Sequence, residues 1–318
     1  MTEPSAPPQA SRDTARIVEA HDDLQRFEAH RPELTALAYR MLGDVARAQD
    51  MVQEAWLRWH HRDVEVHNPK GFLLTVVTRL CLNELDSARA RLEHRRSDRL
   101  PEPVDLAASG LGRLEALEQV SMAFLVLLER LSPVERAVLL LHDVFELEHD
   151  DIAPIAGRSA AACRKALERA RKKVSAGRRL LGASRAEHER LLSAFLRAAT
   201  AGDVPALASL LAADAQLVTD GGPEGRVVGR LRNLRRPLQG AERVAAFIAA
   251  RTQSVALEVE VKDLNGQPAL VFRQNGVLFA ALLLGVAEGK IERVFFHADL
   301  ARLGHVGAAC SGSAGRRR

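Results

Sequence analysis

The sequence predicts a multidomain chain in which two all-α blocks precede an α+β block. Three observations point to it. The length of 318 residues exceeds two domains at roughly 150 residues each, enough to bury more than one core. Apolar residues recur at helical spacing from Phe27 to about Arg96 and again from Leu114 to Ala201, the 3.6-residue period of amphipathic helices. From residue 214 onward the texture becomes runs of β-formers broken by Asn-Gly and Glu-Gly pairs, as in "ALEVEVKDLNGQPALVFRQNG", which is how hairpins read.

In the first block, Leu34, Leu37, Ala38, Met41, Leu42 and Val45 form one helical stripe, and Gly43-Asp44 interrupts and recaps the chain. The next helix buries Ala48, Val52, Ala55, Trp56 and Trp59, which turns Asp50, Gln53, Glu54 and Arg58 outward. "HHRDVEVHNPKG" breaks it at Pro69 and Gly71, and a third helix runs from about Phe72 to Arg91. "SDRLPEPVDLAASGLGR" lacks periodicity and has linker composition. The segments 1–22 and 305–318 are rich in small, polar and charged residues and are expected to be loose tails.

In the second block, "LSPVERAVLLLHDVF" carries Ser132 as N-cap, Pro133 at the first helical position and Glu135 three residues after the cap, a capping box. "HDDIAPIAGRSAAACRKALERARKKV" follows as two helices around Gly157, the pattern of a helix-turn-helix. Pro154 removes a backbone donor, so the first of these helices is expected to be short or bent. Ser159 caps the second, whose buried stripe is Ala162, Cys163, Ala166, Leu167, Ala170 and Val174. Ala160, Ala161, Arg164, Lys165, Glu168 and Arg171 then face outward, small residues where the helix approaches bases and cations for guanine edges or phosphates. A solvated basic face would have the same composition; the turn glycine, the cap and the preceding helix favour DNA.

The net charge of +4 decides little. Cys81, Cys163 and Cys310 lack any CxxC spacing, which suggests neither a disulfide framework nor a cysteine zinc site and fits the cytoplasm. His60, His61 and His67 have no partnering cysteine or carboxylate cluster, so no metal is expected. The longest apolar run, "VLFAALLLGVA" at 277–287, is too short for a membrane span and reads as a buried strand.

These motifs together resemble an extracytoplasmic-function sigma factor of the sigma-70 family. "RPELTALAYRMLGDVARAQDMVQEAWLRW" is similar to sigma region 2, "NPKGFLLTVVTRLCLNELDSARAR" to the segment engaging the promoter minus-10 element, and the helix-turn-helix block to region 4, which binds the minus-35 element. "RLPEPVD" and "VTDGG" resemble the subgroup carrying a C-terminal SnoaL-like domain, a curved-sheet cone of the ketosteroid-isomerase type, in place of a separate anti-sigma partner. The resemblance implies region 2 at 23–97, a linker at 98–113, region 4 at 114–180 and the SnoaL-like domain at 183–304.

The partners it implies are promoter DNA and core RNA polymerase, contacted through the largest subunit's clamp helices and the second-largest subunit's flap. Asp50, Gln53, Glu54 and Arg58 match the clamp-docking positions. Ser159, Ala160, Ala161, Arg164, Lys165, Glu168 and Arg171 match minus-35 readers. His61, Arg62, Val64, Glu65 and His67 match the loop that captures an unstacked minus-10 base, and Arg79, Asn83, Arg89 and Arg91 offer a cationic path for the single strand. Leu100, Pro101, Glu102 and Pro103 are expected to contact the third block near Asp220, Gly221, Gly222 and Asp299 and so set the spacing of the two DNA-binding blocks.

The subgroup's Asp-Gly-Gly-Gly-Lys is altered here, with Pro223 at the third glycine and the cation displaced to Arg226. Its C-terminal Asn-Pro-Asp-Lys-Leu is replaced by "HADLARL", which keeps Asp299. No cofactor or enzymatic activity is expected. The single tyrosine, Tyr39, lies in the first block, and Asp214, Asp220, His297 and Asp299 are the only candidates for acid–base work. The competing readings are a stand-alone ligand-responsive helix-turn-helix regulator and a SnoaL-type isomerase or hydrolase.

Overall fold

The computed structural model describes residues 9–90, 99–106, 121–175, 177–222, 227–228, 231–232, 234, 236–252 and 257–306. Helix α1 (Gln9–Leu42) starts inside the segment expected to be a loose tail. "TARIVEAHDDL" is made largely of residues tolerated in helices, which lets the helix extend toward the N-terminus. Gly43 turns the chain at φ +66°, and the Asp44 carboxylate accepts from Arg47 N to cap α2 (Val45–His60). Helix α3 (Pro69–Ala90) follows, after a loop in which Asn68 accepts from Gly71 N.

The second block comprises α4 (Met122–Glu129), α5 (Pro133–Asp143), α6 (His149–Ala156) and α7 (Ala160–Ser175). The capping box at Ser132 and Glu135 forms in full. Helix α6 is eight residues long with Pro154 inside it, short as the proline required. It ends at Gly157, whose φ of +61° is the left-handed conformation a glycine adopts without strain.

The two helical blocks do not keep separate cores. One apolar cluster runs from Phe27, Leu37, Val52 and Trp59 through Leu74 and Val77 to Leu128, Leu140, Ile152 and Leu167. Helix α3 explains this. Leu73, Leu74, Val77, Leu80 and Cys81 form one buried stripe, and Leu82, Phe72 and Val76 widen it enough to pack on two sides.

The third block holds α8 (Arg185–Ala201), α9 (Val204–Leu210), α10 (Ala241–Thr252) and strands β1 (Leu211–Asp220), β2 (Val227–Val228), β3 (Leu231–Arg232), β4 (Leu238–Gln239), β5 (Glu258–Leu264), β6 (Gln267–Gln274), β7 (Val277–Ala287) and β8 (Lys290–His297). The main sheet has the order β4-β1-β8-β7-β6-β5. β1 and β8 are parallel and the other neighbours antiparallel. The apolar run 277–287 is β7, buried over most of its length. The Asn265-Gly266, Asn275-Gly276 and Glu288-Gly289 pairs turn the hairpins with positive φ at both residues.

Register shifts at Leu211/Gln216, Phe272/Arg273 and Gly285/Val286 bend the sheet. One face, with Leu217, Leu270, Leu282 and Leu284, packs under α8, α9 and α10. The opposite face, with Ala269, Val271, Ala281, Leu283 and Phe295, packs on Leu100, Met122 and Ala123, so the sheet lies directly against the linker and the second helical block.

Candidate nucleic-acid interface and interdomain clamp

Helix α7 buries Cys163, Ala166, Leu167 and Ala170, while Ala162 and Val174 are half-buried. Ser159 Oγ accepts from Ala162 N at 3.2 Å and sets the start of the helix. Ala161, Arg164, Lys165 and Glu168 are exposed and Ala160 is half-buried. Of the later cations of this helix, Lys172 is exposed and the other three are committed elsewhere. Arg171 forms two contacts with Asp143 of α5 at 2.5 and 3.1 Å. Arg169 and Lys173 hold Glu135 at 3.0 and 2.6 Å. Burial opposes ionisation of Glu135, but Lys173, the Ser132 N–H and Arg169 outweigh it and pull its pKa down to about 2. The unpaired cations of α7 are therefore Arg164 and Lys165 in its N-terminal half and Lys172 near its end, and the expectation that Arg171 reads bases meets a residue already paired.

In the first block, His61, Val64, Glu65, His67, Arg79 and Asn83 are exposed. Arg62 is not presented in the same way: its guanidinium bonds both Asp23 oxygens at 2.6 and 3.0 Å, donates to Trp59 O, and lies 3.6 Å from the Trp59 ring centroid. The sequence pattern missed this because Asp23 is distant along the chain, and Arg62 anchors the loop rather than projecting from it. Arg79 donates to Pro154 O of α6 at 2.8 Å, which ties the cationic path to the helix-turn-helix. The Arg89 side chain and Arg91 lie outside the described residues. On α2, Asp50 and Gln53 are exposed and Glu54 pairs with Arg58 at 3.1 Å. Leu57 lies in the same stripe and is 45% exposed, an apolar residue among polar ones whose spacing from Asp50, Gln53 and Glu54 was the signal for it.

The linker is bonded to the first and third blocks. Leu100, Pro101, Glu102, Pro103 and Val104 are all buried, held from two sides. From the third block, Asp220 Oδ2 accepts from Leu100 N at 3.1 Å. Asn265 pairs with Val104 through its backbone N–H, donating to Val104 O at 2.8 Å, and its side chain, accepting from Val104 N at 3.0 Å. From the first block, Glu102 Oε2 accepts from Val45 N at 2.5 Å and Glu102 N donates to Gly43 O at 2.9 Å. Tyr39 joins the two sides, donating to Glu102 O while accepting from Asn265 Nδ2 at 2.8 Å; burial pushes its phenol pKa up.

Arg302 completes the clamp. It donates to Leu100 O at 2.6 Å and to Gly43 O at 2.7 Å, and its Nη1 is 3.4 Å from Asp220 Oδ2. Asp299 caps the turn carrying Arg302, accepting from Ala301 N, and faces Arg99 at 3.6 Å. Gly222, at φ +84°, passes so close that an added Cβ would come within 2.9 Å of Asp299 Oδ2. Arg226, the displaced cation, lies outside the described residues, as do Pro223, Glu224 and Gly225; Arg302 supplies the guanidinium that the described clamp contains. Tyr39, Asn265 and Arg302 were not singled out by sequence. Asn265 was legible only as a turn residue, and Arg302 sat in a segment that departs from the expected motif.

Of the acid–base candidates, Asp220, His297 and Asp299 lie close together, Asp299 N donating to Asp220 O at 3.1 Å, and Asp214 stands apart. Asp214 is exposed on β1. Asp220 and His297 occupy paired positions of β1 and β8, but the Asp220 carboxylate is engaged by Leu100 N, Gly222 N and Arg302. Burial, with Arg302 nearby, pushes His297 down to about 3 and keeps it neutral. Among the described residues no group of three or more His, Cys, Asp or Glu is placed to hold a metal ion, and no helix is long and apolar enough to cross a membrane.

Comparisons with known proteins agree with this architecture. Residues 26–91 match the family model of sigma-70 region 2, and residues 121–174 that of sigma-70 region 4. The chain is 33% identical over 279 residues to the probable ECF RNA polymerase sigma factor SigI of Mycobacterium tuberculosis, covering 86% of this chain and 92% of that protein. It is 37% identical over 235 residues to the ECF RNA polymerase sigma factor SigJ of the same organism, covering 73% of each. The crystal structure of M. tuberculosis SigJ superposes with a TM-score of 0.70 at 29% identity, over 89% of this chain and 98% of that one. With helical sigma-70 regions 2 and 4 followed by a curved mixed sheet, the chain belongs to the extracytoplasmic-function RNA polymerase sigma factors.

Proposed function

We propose that this sigma factor binds core RNA polymerase and reads a bipartite promoter in the cytoplasm, and that its C-terminal domain controls it in cis without catalysis. The observation that carries the regulatory part is the clamp on Leu100–Val104. One short linker joins the two DNA-binding blocks; its backbone is bonded on one side by Gly43 and on the other by Asp220, Asn265 and Arg302, and its Glu102 carboxylate accepts from Val45 N. In this reading the two helical blocks separate to reach minus-10 and minus-35 elements together, whereas here they share one core and Arg79 is occupied by Pro154. The arrangement fits a closed state, and differential contacts of the C-terminal domain would set its population.

In the open state, Ser159, Ala160, Ala161, Arg164, Lys165 and Glu168 face the minus-35 element, with Arg171 joining when it leaves Asp143. His61, Val64, His67, Arg79, Asn83, Arg89 and Arg91 serve the melted minus-10 strand, with Arg62 as the loop's anchor. Asp50, Gln53, Glu54, Leu57 and Arg58 dock on the clamp helices of the largest subunit, and region 4 on the flap. The domain limits proposed with this reading are those expected from the sequence, 23–97, 114–180 and 183–304.

Run-off transcription with reconstituted polymerase, comparing the full chain with one ending near residue 180, tests both parts. Transcription from a cognate promoter that changes on truncation is the expected result. A folded full chain that does not bind core polymerase would falsify the reading.

A further inference from the structure

The main sheet of the C-terminal domain ends in strands of unequal length. β4, at one edge, has two residues, while β5, at the other, has seven. The ladder from β5 to β6 runs without a register shift. Glu258, Val259, Glu260, Val261 and Asp263 are all exposed, Val259 at 41% and Val261 at 62%. Shortness, proline, a bulge or a covering segment closes such an edge in other sheets, and among the described residues β5 has none of these over 259–263.

The turn fixes which backbone groups the edge presents. Leu264 and Gln267 flank the two-residue turn Asn265-Gly266, a closing pair that exchanges both backbone hydrogen bonds. Alternation then directs Glu258, Glu260 and Lys262 at β6 and turns the N–H and C=O groups of Val259, Val261 and Asp263 away from it. Asn265 has the same parity, and its N–H donates outward to Val104 O of the linker at 2.8 Å. Past Val104 the linker leaves the edge: Asp105 meets Lys262 Nζ at 3.5 Å, and Leu106 packs on the helical core. Among the described residues, no hydrogen bond reaches the outward groups of Val259, Val261 or Asp263.

The side chains select a partner. A second copy of β5, laid antiparallel with Val261 opposite its own counterpart, sets Glu260 against Lys262 in both directions and Val259 against Asp263. Centring the pair on Val259 opposes Glu258 and Glu260, and centring it on Glu260, Lys262 or Asp263 opposes that charge to itself. Like charges directly opposite destabilise a strand pair and unlike charges support it, so among registers centred on 259 to 263 the one at Val261 is self-complementary. We infer that β5 is a self-association surface on which a second copy of this chain pairs antiparallel about Val261, continuing the sheet from one molecule into the other. The inference goes beyond promoter reading and does not rest on it.

Sedimentation velocity of the full chain in reducing buffer, from about 1 µM to about 0.5 mM, spans the range of weak interfaces. A concentration-dependent monomer–dimer equilibrium is expected. Val261→Pro removes an outward donor and no bond to β6, so it should abolish the dimer while the melting temperature stays near the parent's. Glu260→Lys and Lys262→Glu each turn two unlike pairs into like ones and should weaken dimerisation at least about tenfold. Mixed together, these two variants oppose unlike charges again and should pair with each other about as strongly as the parent with itself. The mixture decides the matter if Val261→Pro lowers the melting temperature. A full chain that stays monomeric, a folded Val261→Pro that dimerises like the parent, or a mixture that associates no better than either variant alone overturns the inference. If a monomeric chain dimerises once residues 307–318 are removed, the chain's own C-terminal segment occupies the edge instead.

Discussion

Replacing Arg302 by methionine is expected to release the linker while leaving the helical blocks folded. The guanidinium is 13% exposed and donates to Leu100 O and Gly43 O while lying 3.4 Å from Asp220, itself 5% exposed. Methionine keeps much of the aliphatic stem, so the loss is mainly electrostatic. Each hydrogen bond to a charged group contributes about 1.5–3 kcal/mol, and removing one partner of a buried ion pair costs about 3–5 kcal/mol. The contributions share one side chain and do not add. The pair figure therefore bounds the effect, partly relieved because Gly43 O keeps its bond from Glu102 N and Asp220 keeps Leu100 N and Gly222 N.

A shift of at most about 3–5 kcal/mol raises the equilibrium constant for local opening by up to roughly two to four powers of ten, at 1.4 kcal/mol per factor of ten. Native-state hydrogen exchange at the Leu100, Glu102 and Val104 amides reads that constant directly, and amides of α5 serve as the internal control. If these three amides exchange as slowly in Arg302→Met as in the parent, with α5 unchanged, the clamp does not depend on Arg302 and the account of the closed state is refuted.

Glu102 gives the clamp a pH dependence. Burial, with Asp44 and Asp299 nearby, outweighs the Val45 N–H and Arg302 and raises its pKa from 4.5 to about 7. Between those two values the closed form holds a proton that the exposed linker has lost. Closure is therefore fully favoured below about pH 4.5 and weakens as pH rises to 7, by about 3 kcal/mol at most. Glu102→Gln should abolish this slope and protect the linker amides at pH 8; a parental slope in the variant contradicts the assignment. Asn265→Gly keeps the φ of +54° accessible but removes the bonds to Val104 N and Tyr39 Oη, so chemical denaturation should show a loss of about 1–3 kcal/mol. Arg164→Ala with Lys165→Ala should weaken promoter-dependent transcription at least about tenfold and flatten its salt dependence by roughly one unit of log–log slope for each phosphate no longer neutralised. Core-polymerase binding should be unaffected.

Local chemistry made much of this molecule legible. The capping box at Ser132, the cap at Ser159, the turn at Gly157 and the Asn-Gly hairpins each depend on residues a few positions apart, and all formed where the pattern placed them. What stayed hidden depends on residues far apart. Arg62 reads as an exposed cation until Asp23 is brought beside it by the packing of α1 on α2. Arg302 reads as the remnant of a missing motif until Gly43 and Leu100 meet it. The segment 98–113 has the composition of a free linker, and its first part is instead buried, because its polar backbone finds partners on two other domains that no local window contains.

The end of α1 carries a further consequence. Met41 O accepts from Arg136 of α5 at 2.6 Å, and two residues later Gly43 O accepts from Arg302 and from Glu102 N, so region 4, the linker and the C-terminal domain all meet on the free carbonyls of one helix end. Written along the sequence, the C-terminal domain is an appendage that recombination could exchange for another. In the folded molecule, a foreign domain would leave the Gly43 carbonyl without its guanidinium and the Leu100 amide without Asp220. The three modules are thereby coupled through one helix end, and an insertion at Gly43 or Asp44 would act on every one of them at once.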